Sequence, residues 1–431
     1  MPFAAFDLHK EMIEAAVADD QGNITVRQRF PATAQAIERF ARQHLSPDHA
    51  LAMEATFNTW AVVRIVRPLV GRIVVSNPLR TRAIAEAKIK TDRIDVTVLI
   101  HLLRLDYLPS VWIPDEETQR LRATTTTRAS LTSDRTRIKN RIHSVLHQRL
   151  IHPPQGDLFS KANLTWLSQL ALDPEGRQSL DRQLRLLEQI EQEIAKVNSS
   201  LCAHAYSDPR VKLLMTLPGV DYAVADALIA TLGDVNRFAN ADKAAAYFGL
   251  TPSTNQSGQH CYHGPITKHG SSHGRWMLIQ AAQHAGTHPG PLGAFFRRLS
   301  HRRGRNKAVV ATARKLVTIA WHMLKNNEPY RYAQPAATEA KLSRLRVRAT
   351  GEKKKSGTKK GTPRTASYGN GERTRAVPSL DSVYSGEGLP PLTAPKPGEE
   401  KMLRQAELEA YAQGVRQARR VPRVSKKKES N

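Results

Sequence analysis

Apolar residues recur with the spacing of strands and helices along the first hundred residues. Strands are predicted over Phe3–Leu8, Met12–Ala18, Ile24–Phe30, Ala50–Glu54 and Arg72–Asn77. Helices are predicted over Thr33–His44, Thr59–Leu69 and Asp92–Leu103. The turn residues Asp19-Asp20-Gln21-Gly22-Asn23 join the second and third strands, so the chain opens with a three-strand meander. This order of elements predicts a mixed α/β sheet domain over residues 1–110.

The pattern becomes helical over residues 111–205. Apolar residues at three- and four-residue steps are Leu184, Leu187, Ile190 and Ile194. This spacing is typical of a helix that pairs with another helix, either in the same chain or in a coiled coil with a second copy.

The same helical region is strongly basic. Between residues 120 and 150 there is one acid, Asp134, and eight bases: Arg120, Arg122, Arg128, Arg135, Arg137, Lys139, Arg141 and Arg149. Solvated helix faces are commonly charged, but the one-sided charge favours contact with nucleic acid. The bases that we assign to this contact are Arg135, Arg137, Lys139 and Arg141.

The overall charge points to the same class of partner. The 431 residues include 65 Lys and Arg against 39 Asp and Glu, a formal net charge of +26, so a polyanion such as nucleic acid is expected. No apolar run approaches the roughly 18–20 residues of a membrane span, and the first residues lack the core of a signal peptide. Two cysteines, Cys202 and Cys261, fit a reducing compartment, so we expect a cytoplasmic protein without a membrane partner.

The composition changes after Pro335, and residues 333–431 form a basic tail. From Lys341 onward there are 22 Lys and Arg and 9 Asp and Glu, which is half of the net charge in about a fifth of the chain. Lysine clusters alternate with Gly, Pro and Ser, and large apolar residues are few, so we predict mostly disorder with a short helix around residues 401–417. The tail is either an electrostatic arm for nucleic acid or a solubilising extension.

Four carboxylates fall where predicted elements of the first domain begin or end. Asp7 lies near the end of the first strand and Glu54 ends a short buried strand, whereas Asp92 and Asp95 open the last helix. Residues three apart on a helix share a face, and strand ends can converge on one sheet edge, so the four can cluster. Clustered carboxylates repel one another unless a divalent cation neutralises them, and two Mg²⁺ ions suit phosphodiester chemistry, as in RNase H-like nucleases. Hard oxygen ligands do not separate Mg²⁺ from Mn²⁺.

Each of these acids also has a purely structural interpretation. Asp92 can be a helix N-cap with Asp95 as its capping partner, while Asp7 and Glu54 can be strand-end residues that face water. The combination of an acid in the first strand, a Glu after the fourth and an Asp-x-x-Asp pair on a helix favours the functional interpretation.

Two further motifs lie between residues 206 and 332. A helix end, the turn Pro218-Gly219-Val220 and a second helix from about Ala223 predict a helix-hairpin-helix. Its turn amides can face a phosphate without reading bases, although many helical hairpins bind nothing. Ser257 falls in a predicted polar loop, and Lys268 and Arg275 can supply charge for a phosphate. A serine hydroxyl needs a base or a metal to become a nucleophile, so the local sequence alone favours an ordinary loop serine.

Six motifs, taken in order along the chain, carry a resemblance to a known family. They are Phe6-Asp7-Leu8-His9-Lys10, Met53-Glu54-Ala55-Thr56, Lys90-Thr91-Asp92-Arg93-Ile94-Asp95, Leu217-Pro218-Gly219-Val220, Gln256-Ser257-Gly258 and Ile266-Thr267-Lys268-His269-Gly270-Ser271. From about Phe3 to Tyr332, the chain resembles the transposases of the insertion sequence 110 family, the DEDD group that includes Piv-type DNA invertases. It departs from the family pattern at Gly274, where Leu commonly precedes the Arg.

The resemblance implies a fold and a set of roles. It implies a RuvC-like, RNase H-fold N-terminal domain, a coiled-coil insert over residues 111–205 and a mainly helical transposase domain over residues 206–332. The residues that would hold Mg²⁺ are Asp7, Glu54, Asp92 and Asp95. Ser257 would be the nucleophile that becomes linked to DNA. Proteins similar to this one use a bridge RNA to pair donor and target DNA and act as oligomers, so a dimer or tetramer is expected.

The sequence therefore predicts a DNA transposase or site-specific recombinase of an insertion sequence. One alternative is a RuvC-like, structure-selective nuclease that hydrolyses DNA junctions with water. The other is a non-catalytic nucleic-acid-binding protein derived from a transposase.

Overall fold

The computed structural model describes residues 1–84, 92–258, 260–352 and 374–422. The chain divides into two units, Met1–Asp115 and Glu116–Asn431. The motif residues Lys90 and Thr91, and the lysine clusters near residues 353–360 and 426–428, lie outside the described residues. Within the described ranges, no helix is both long and apolar enough to cross a membrane.

A six-stranded mixed sheet forms the centre of the first unit. Its strands are β1 (Phe3–Leu8), β2 (Met12–Ala18), β3 (Ile24–Pro31), β4 (Ala50–Glu54), β5 (Arg72–Ser76) and β6 (Ser110–Val111). Their order is β3-β2-β1-β4-β5-β6, with β2 antiparallel to β1 and β4 parallel to both β1 and β5. The predicted meander and the two strands after it are confirmed, whereas the short β6 has no counterpart in the prediction.

Helices cover both faces of this sheet. They are α1 (Ala34–His44), α2 (Thr59–Val66), α3 (Pro78–Ile84) and α4 (Asp92–Arg104). Phe6 and Met53 are buried in one core with residues of α1 and α2. Ala5 and Ala52, which point to the opposite face, are buried in a second core with Ile100 and other residues of α4. The predicted mixed α/β class of the first domain is confirmed.

The second unit is mainly helical, as predicted. Its helices are α5 (Glu116–His147), α6 (Lys161–Gln169), α7 (Pro174–Ser207), α8 (Pro209–Leu214), α9 (Tyr222–Leu232), α10 (Ala241–Tyr247), α11 (Ser272–Ala285), α12 (Pro291–Arg303), α13 (Arg305–Asn326), α14 (Pro335–Thr350), α15 (Leu380–Gly386), α16 (Pro397–Gln405) and α17 (Glu409–Gly414). Two antiparallel strand pairs accompany them: β7 (Pro252–Ser257) with β8 (His260–Ile266), and β9 (Thr374–Val377) with β10 (Arg419–Pro422).

The long helices α5 and α7 pair with each other and form what we call the helical arm. Polar contacts between them join Arg128 to Asn198 and Arg135 to Glu191, and just beyond the helix ends Arg149 contacts Asp173. Residue numbers rise along one helix as they fall along the other, so the pair is antiparallel. Leu180 and Leu187 are buried against apolar residues of α5. The apolar spacing of α7 therefore serves a helix pair within one chain.

Most of the expected disordered tail is folded where the structure describes it. Leu342, Leu345, Leu380 and Tyr384 all lie in the core of the second unit. The Tyr384 hydroxyl donates a hydrogen bond of 2.7 Å to the carbonyl of Tyr330. The prediction of disorder is wrong for residues 335–352 and for 374–400, because a few apolar residues on one helix face suffice when an existing core receives them. The short helix predicted around residues 401–417 falls where the structure has α16 and α17.

Candidate active site

Asp7 and Glu54 lie at the ends of two neighbouring parallel strands. β1 and β4 pair in register with Phe6 opposite Met53, so the acids that follow each of these residues are neighbours. Side chains two apart on a strand point to the same face. Asp7 and Glu54 therefore point to the face of the sheet that α4 covers.

Helix α4 brings the other two predicted acids to this face. Asp92 is the first residue of the helix and Asp95 stands one turn on, on the same side. Arg27 of β3 fixes this end of α4, since its guanidinium donates to the carbonyl of Arg93 and to Thr97 Oγ1, both at 2.9 Å.

Asp7 and Asp92 come together around a histidine. His9 Nε2 lies 3.0 Å from Asp7 Oδ2 and 3.4 Å from Asp92 Oδ1. One possible ligand atom from each of the three residues lies within 4.8 Å of the others. Two carboxylates and an imidazole at this spacing are a donor set that suits a divalent cation.

The pKa of Asp7 depends first on burial and then on its charged neighbours. Burial raises the pKa of Asp7 above its ordinary value, His9 lowers it, and the charges of Asp92 and Asp95 raise it again. Asp95 is thus close enough for its charge to act on Asp7. A cation here would offset the smaller part of the rise in the pKa of Asp7 that comes from Asp92 and Asp95.

Two residues of this region were missed by the sequence analysis. His9 is one, and the other is Glu14 of β2, which pairs directly with Asp7 and is 6% exposed. Glu14 and Asp92 also line the same open cavity. A charged residue in an otherwise apolar strand was the available signal for Glu14, and the motif Asp-x-His was the signal for His9.

Ser257 is the last residue of β7, not part of an irregular loop as the sequence predicted. It pairs with His260 across a tight turn, in which Gly258 has a φ of +56°. The side chain of Ser257 is exposed, as are most residues of this two-stranded hairpin. Within the described part of the chain, no hydrogen bond involves the Ser257 hydroxyl. The serine is therefore accessible to a large ligand.

Lys268 and Arg275 lie at the base of this hairpin with different surroundings. Lys268 is exposed, whereas Arg275 Nη1 donates to the carbonyls of Phe248 and Lys268 at 3.0 and 3.1 Å. Gly270 has a φ of +87°, and a Cβ there would lie 2.1 Å from the carbonyl oxygen of Tyr247. Arg275 thus holds together two closely packed loops, and its assignment to phosphate binding stays a prediction.

The four basic residues assigned to nucleic acid on α5 are not equivalent. Arg135 reaches Glu191 across the helical arm at 3.4 Å, and the Lys139 ammonium lies 4.3 Å from the centre of the Phe159 ring. Arg137 and Arg141 are exposed, although Arg137 pairs with Asp134 one turn away. Contacts within the second unit thus engage Arg135 and Lys139, so Arg137 and Arg141 are the more available cations.

The helix, turn and helix around Gly219 are present as α8, the turn and α9. Gly219 has a φ of +74°, and a Cβ there would lie 2.2 Å from the carbonyl oxygen of Ala281 in α11. Only glycine fits both this backbone conformation and this close approach. The turn is therefore held against α11 and is not a free loop.

Family models match both units of the chain. A DEDD-type IS110 model, described as "Transposase", matches residues 4–151. A second model, described as "Transposase IS116/IS110/IS902 family", matches residues 211–297. Together the two models match more than half of the 431 residues. The first range contains the four acids with His9 and Glu14, and the second contains the Gly219 turn and Ser257.

Several curated proteins are similar to this chain. The putative transposase y4qE of Sinorhizobium fredii is 27% identical over 285 residues, which cover 65% of this chain and 70% of that protein. The transposase for insertion sequence element IS1328 of Yersinia enterocolitica is 24% identical over 326 residues, or 73% and 94% of the two chains. The pilin gene-inverting protein of Moraxella lacunata is 29% identical over 124 residues, or 28% and 38%.

Proposed function

Because the chain belongs to the IS116/IS110/IS902 family of transposases, we propose that it is the DNA transposase or site-specific recombinase of an insertion sequence. It cleaves and exchanges DNA strands. The observation that carries this proposal is the meeting of Asp7, His9 and Asp92 at the sheet face to which Glu54 also points. Acids arranged in this way suit phosphodiester chemistry.

The first unit is proposed to be an RNase H-like, RuvC-like catalytic domain. Its support is the strand order β3-β2-β1-β4-β5, with the antiparallel meander on one side and parallel strands on the other. We keep the predicted domains as part of the proposal: residues 1–110 catalytic, 111–205 a basic helical insert, and 206–332 a transposase domain with the serine.

Asp7, Glu54, Asp92 and Asp95 are proposed to hold Mg²⁺, with Mn²⁺ as an equivalent by ligand chemistry. A bound ion would supply Lewis-acid polarisation of the phosphate and stabilisation of charge on the leaving oxygen. The role of the four acids is to bind the ion and to fix its position. Arg27 keeps the first turn of α4, and hence Asp92 and Asp95, against the sheet.

Ser257 is proposed to be the nucleophile. Its Oγ forms a bond to phosphorus, the bond from phosphorus to one bridging oxygen of the strand breaks, and the hydroxyl proton balances the departing alkoxide. The phosphodiester is conserved as a link between Ser257 and DNA, so a second strand end can reverse the reaction and reseal the DNA. The exposure of Ser257 on its hairpin supports this role.

The partners of the reaction are proposed to be donor and target DNA, a bridge RNA and further copies of the chain in a dimer or tetramer. Arg137 and Arg141 on the helical arm, with Gly219 and Lys268, are proposed contacts to the nucleic acid. Arg135, Lys139 and Arg275 take part in internal contacts, which makes them weaker candidates for the same role.

Sequencing of excised circle junctions in cells tests this function. The gene with its native flanking DNA is compared with Asp7→Asn, Ser257→Ala and the matched control Ser253→Ala in the same strand. We expect junctions from the unaltered chain and from Ser253→Ala only. Junctions that persist in Ser257→Ala would overturn the serine mechanism, and junctions that persist in Asp7→Asn would overturn the role of the acids.

A further inference from the structure

Helix α14 presents a row of cations beside the Gly219 turn. Lys341, Arg344 and Arg348 recur at steps of three and four residues and therefore share one side of the helix. Leu342 and Leu345 anchor the helix in the core. The helix lies beyond residues 211–297, the range that the family model matches.

The first of these cations fixes the helix to the turn. The Lys341 ammonium donates to the carbonyls of Leu217 and Val220, at 2.8 and 3.0 Å. Both carbonyls flank Gly219. The row of cations therefore continues directly from the turn. Two adjoining open cavities lie along it, and both are lined by Gly219, His284, Lys341 and Arg344. Arg348 also lines the second cavity.

The remaining two cations face solvent and make only local contacts among the described residues: Arg344 Nε donates to the carbonyl of Ala340 at 3.1 Å, and the Arg348 guanidinium lies 5.9 Å from the centre of the Tyr222 ring. Arg344 and Arg348 are exposed, and within the described residues neither has an acidic partner within 4 Å. Arg346 of the same helix is different, because it forms an ion pair of 2.7 Å with Glu387 and both side chains are largely buried. The fold thus neutralises Arg346 with an acid and leaves Arg344 and Arg348 of the same helix without one among the described residues.

The turn adds uncharged donors to this surface. Within the described part of the chain, the backbone N–H groups of Gly219 and Asp221 donate no hydrogen bond. Asp221 is the one acid among the described residues that line the two cavities, and its carboxylate caps α9 by accepting from Val224 N–H at 3.0 Å. Guanidinium groups next to free amides are the donor set that binds phosphate oxygens.

We propose that this surface, formed by the Gly219 turn, Lys341, Arg344 and Arg348, binds the phosphodiester backbone of duplex DNA without reading its sequence. The proposal rests on the proposed function and extends it to a helix of the basic tail. Aromatic platforms hold unpaired bases in proteins that bind single strands. Among the described residues that line the two cavities, Tyr222 and His288 are buried, at 7% and 8% exposed, and His284 is the one exposed ring. Successive unpaired bases therefore find no row of aromatic rings in this part of the chain, which favours a duplex.

Binding by the full chain to a 30-base-pair duplex, followed by fluorescence anisotropy over a range of salt concentrations, tests the proposal. The variant is Arg344→Gln with Arg348→Gln. The matched control is Arg182→Gln with Arg185→Gln on α7, which removes the same charge from two exposed arginines of another helix. A single-stranded RNA of equal length is measured in parallel.

We expect the α14 variant to bind duplex DNA about tenfold more weakly and the slope of log K against log salt to fall by roughly one to two, since each lost phosphate contact lowers it by about 0.9. The control keeps the slope of the unaltered chain. Equal losses in both variants, or a loss with RNA alone, would overturn this inference and leave the proposed function standing. Failure of the unaltered chain to bind either nucleic acid would contradict the proposed function itself.

Discussion

Substitution of Glu14 tests the proposed metal site near Asp7 without changing any of the proposed metal ligands. It faces Asp7 across the β1–β2 pair and is almost fully buried. Glu14→Gln keeps the shape of the side chain and removes its charge. We expect a smaller rise of melting temperature with Mg²⁺ and a loss of strand cleavage of about tenfold or more, the scale of a residue that supports metal ligands.

Glu11→Gln supplies the matched control, because Glu11 is exposed just before the same strand. Its Mg²⁺ response and cleavage rate should equal those of the unaltered chain. Equal behaviour of Glu11→Gln and Glu14→Gln would show that Glu14 is a structural residue.

Lys341 predicts a pH dependence of stability. Burial lowers its pKa to about 8, Asp221 opposes this shift and Arg344 adds to it. Between about pH 8 and the ordinary lysine value, the unfolded chain holds the proton and the folded chain does not, so stability rises with pH. The melting temperature of the unaltered chain, relative to Lys341→Met, should therefore rise from pH 7 to pH 9.5. A difference that is constant or falls with pH would contradict the assignment.

Among the elements, β1 to β5 of the first sheet could be predicted almost to the residue, whereas β6 and the serine hairpin could not. β1 and β4 are short apolar runs with clear turn signals, so their ends, and with them Asp7 and Glu54, are readable in the sequence. β7 reads Pro-Ser-Thr-Asn-Gln-Ser, which has no apolar alternation because neither face of the hairpin enters a core. Pairing with β8, not burial, makes it a strand.

The prediction of disorder in the tail is wrong for a related reason. Leu342, Leu345 and Tyr384 are separated by many basic and small residues, so the segment has the composition of a disordered chain. Composition does not reveal that these few side chains fit a core built by α8, α9 and α13. Clustering of Asp7 with His9 and Asp92 likewise depends on how α4 packs on the sheet, which spacing alone does not give.

The docking of α15 predicts that the tail contributes to stability. Tyr384 is 1% exposed and its hydroxyl bonds to the Tyr330 carbonyl. Tyr384→Phe leaves that buried carbonyl without its donor and should cost about 1–3 kcal/mol of unfolding free energy. Denaturant melts measure the change, and Tyr262→Phe on the exposed hairpin is the control. A melt of Tyr384→Phe that matches the control would mean that α15 does not depend on this contact.

The chain has a net charge of +26, and its basic residues divide into those that make contacts within the fold and those that remain exposed to solvent. Arg122 donates to the carbonyls of Ala230 and Thr231, and Arg149 forms a two-point contact with Asp173, so part of the basic helix stabilises the second unit. The cations left for a polyanion include Arg141 on the arm and Arg344 and Arg348 on α14. Charge counts in the sequence therefore indicate the class of partner, but they do not show which residues contact it.

We propose that the acids near Asp7 and the hydroxyl of Ser257 act in one strand-cleaving reaction. The most direct test of this claim is to trap a denaturant-resistant complex between the chain and its native flanking DNA, digest both, and map the attached nucleotide by mass spectrometry. We predict a nucleotide on Ser257 in the presence of Mg²⁺, and none in Asp7→Asn or without the ion. Cleaved DNA with no protein attached, or attachment at another residue, would contradict the claim.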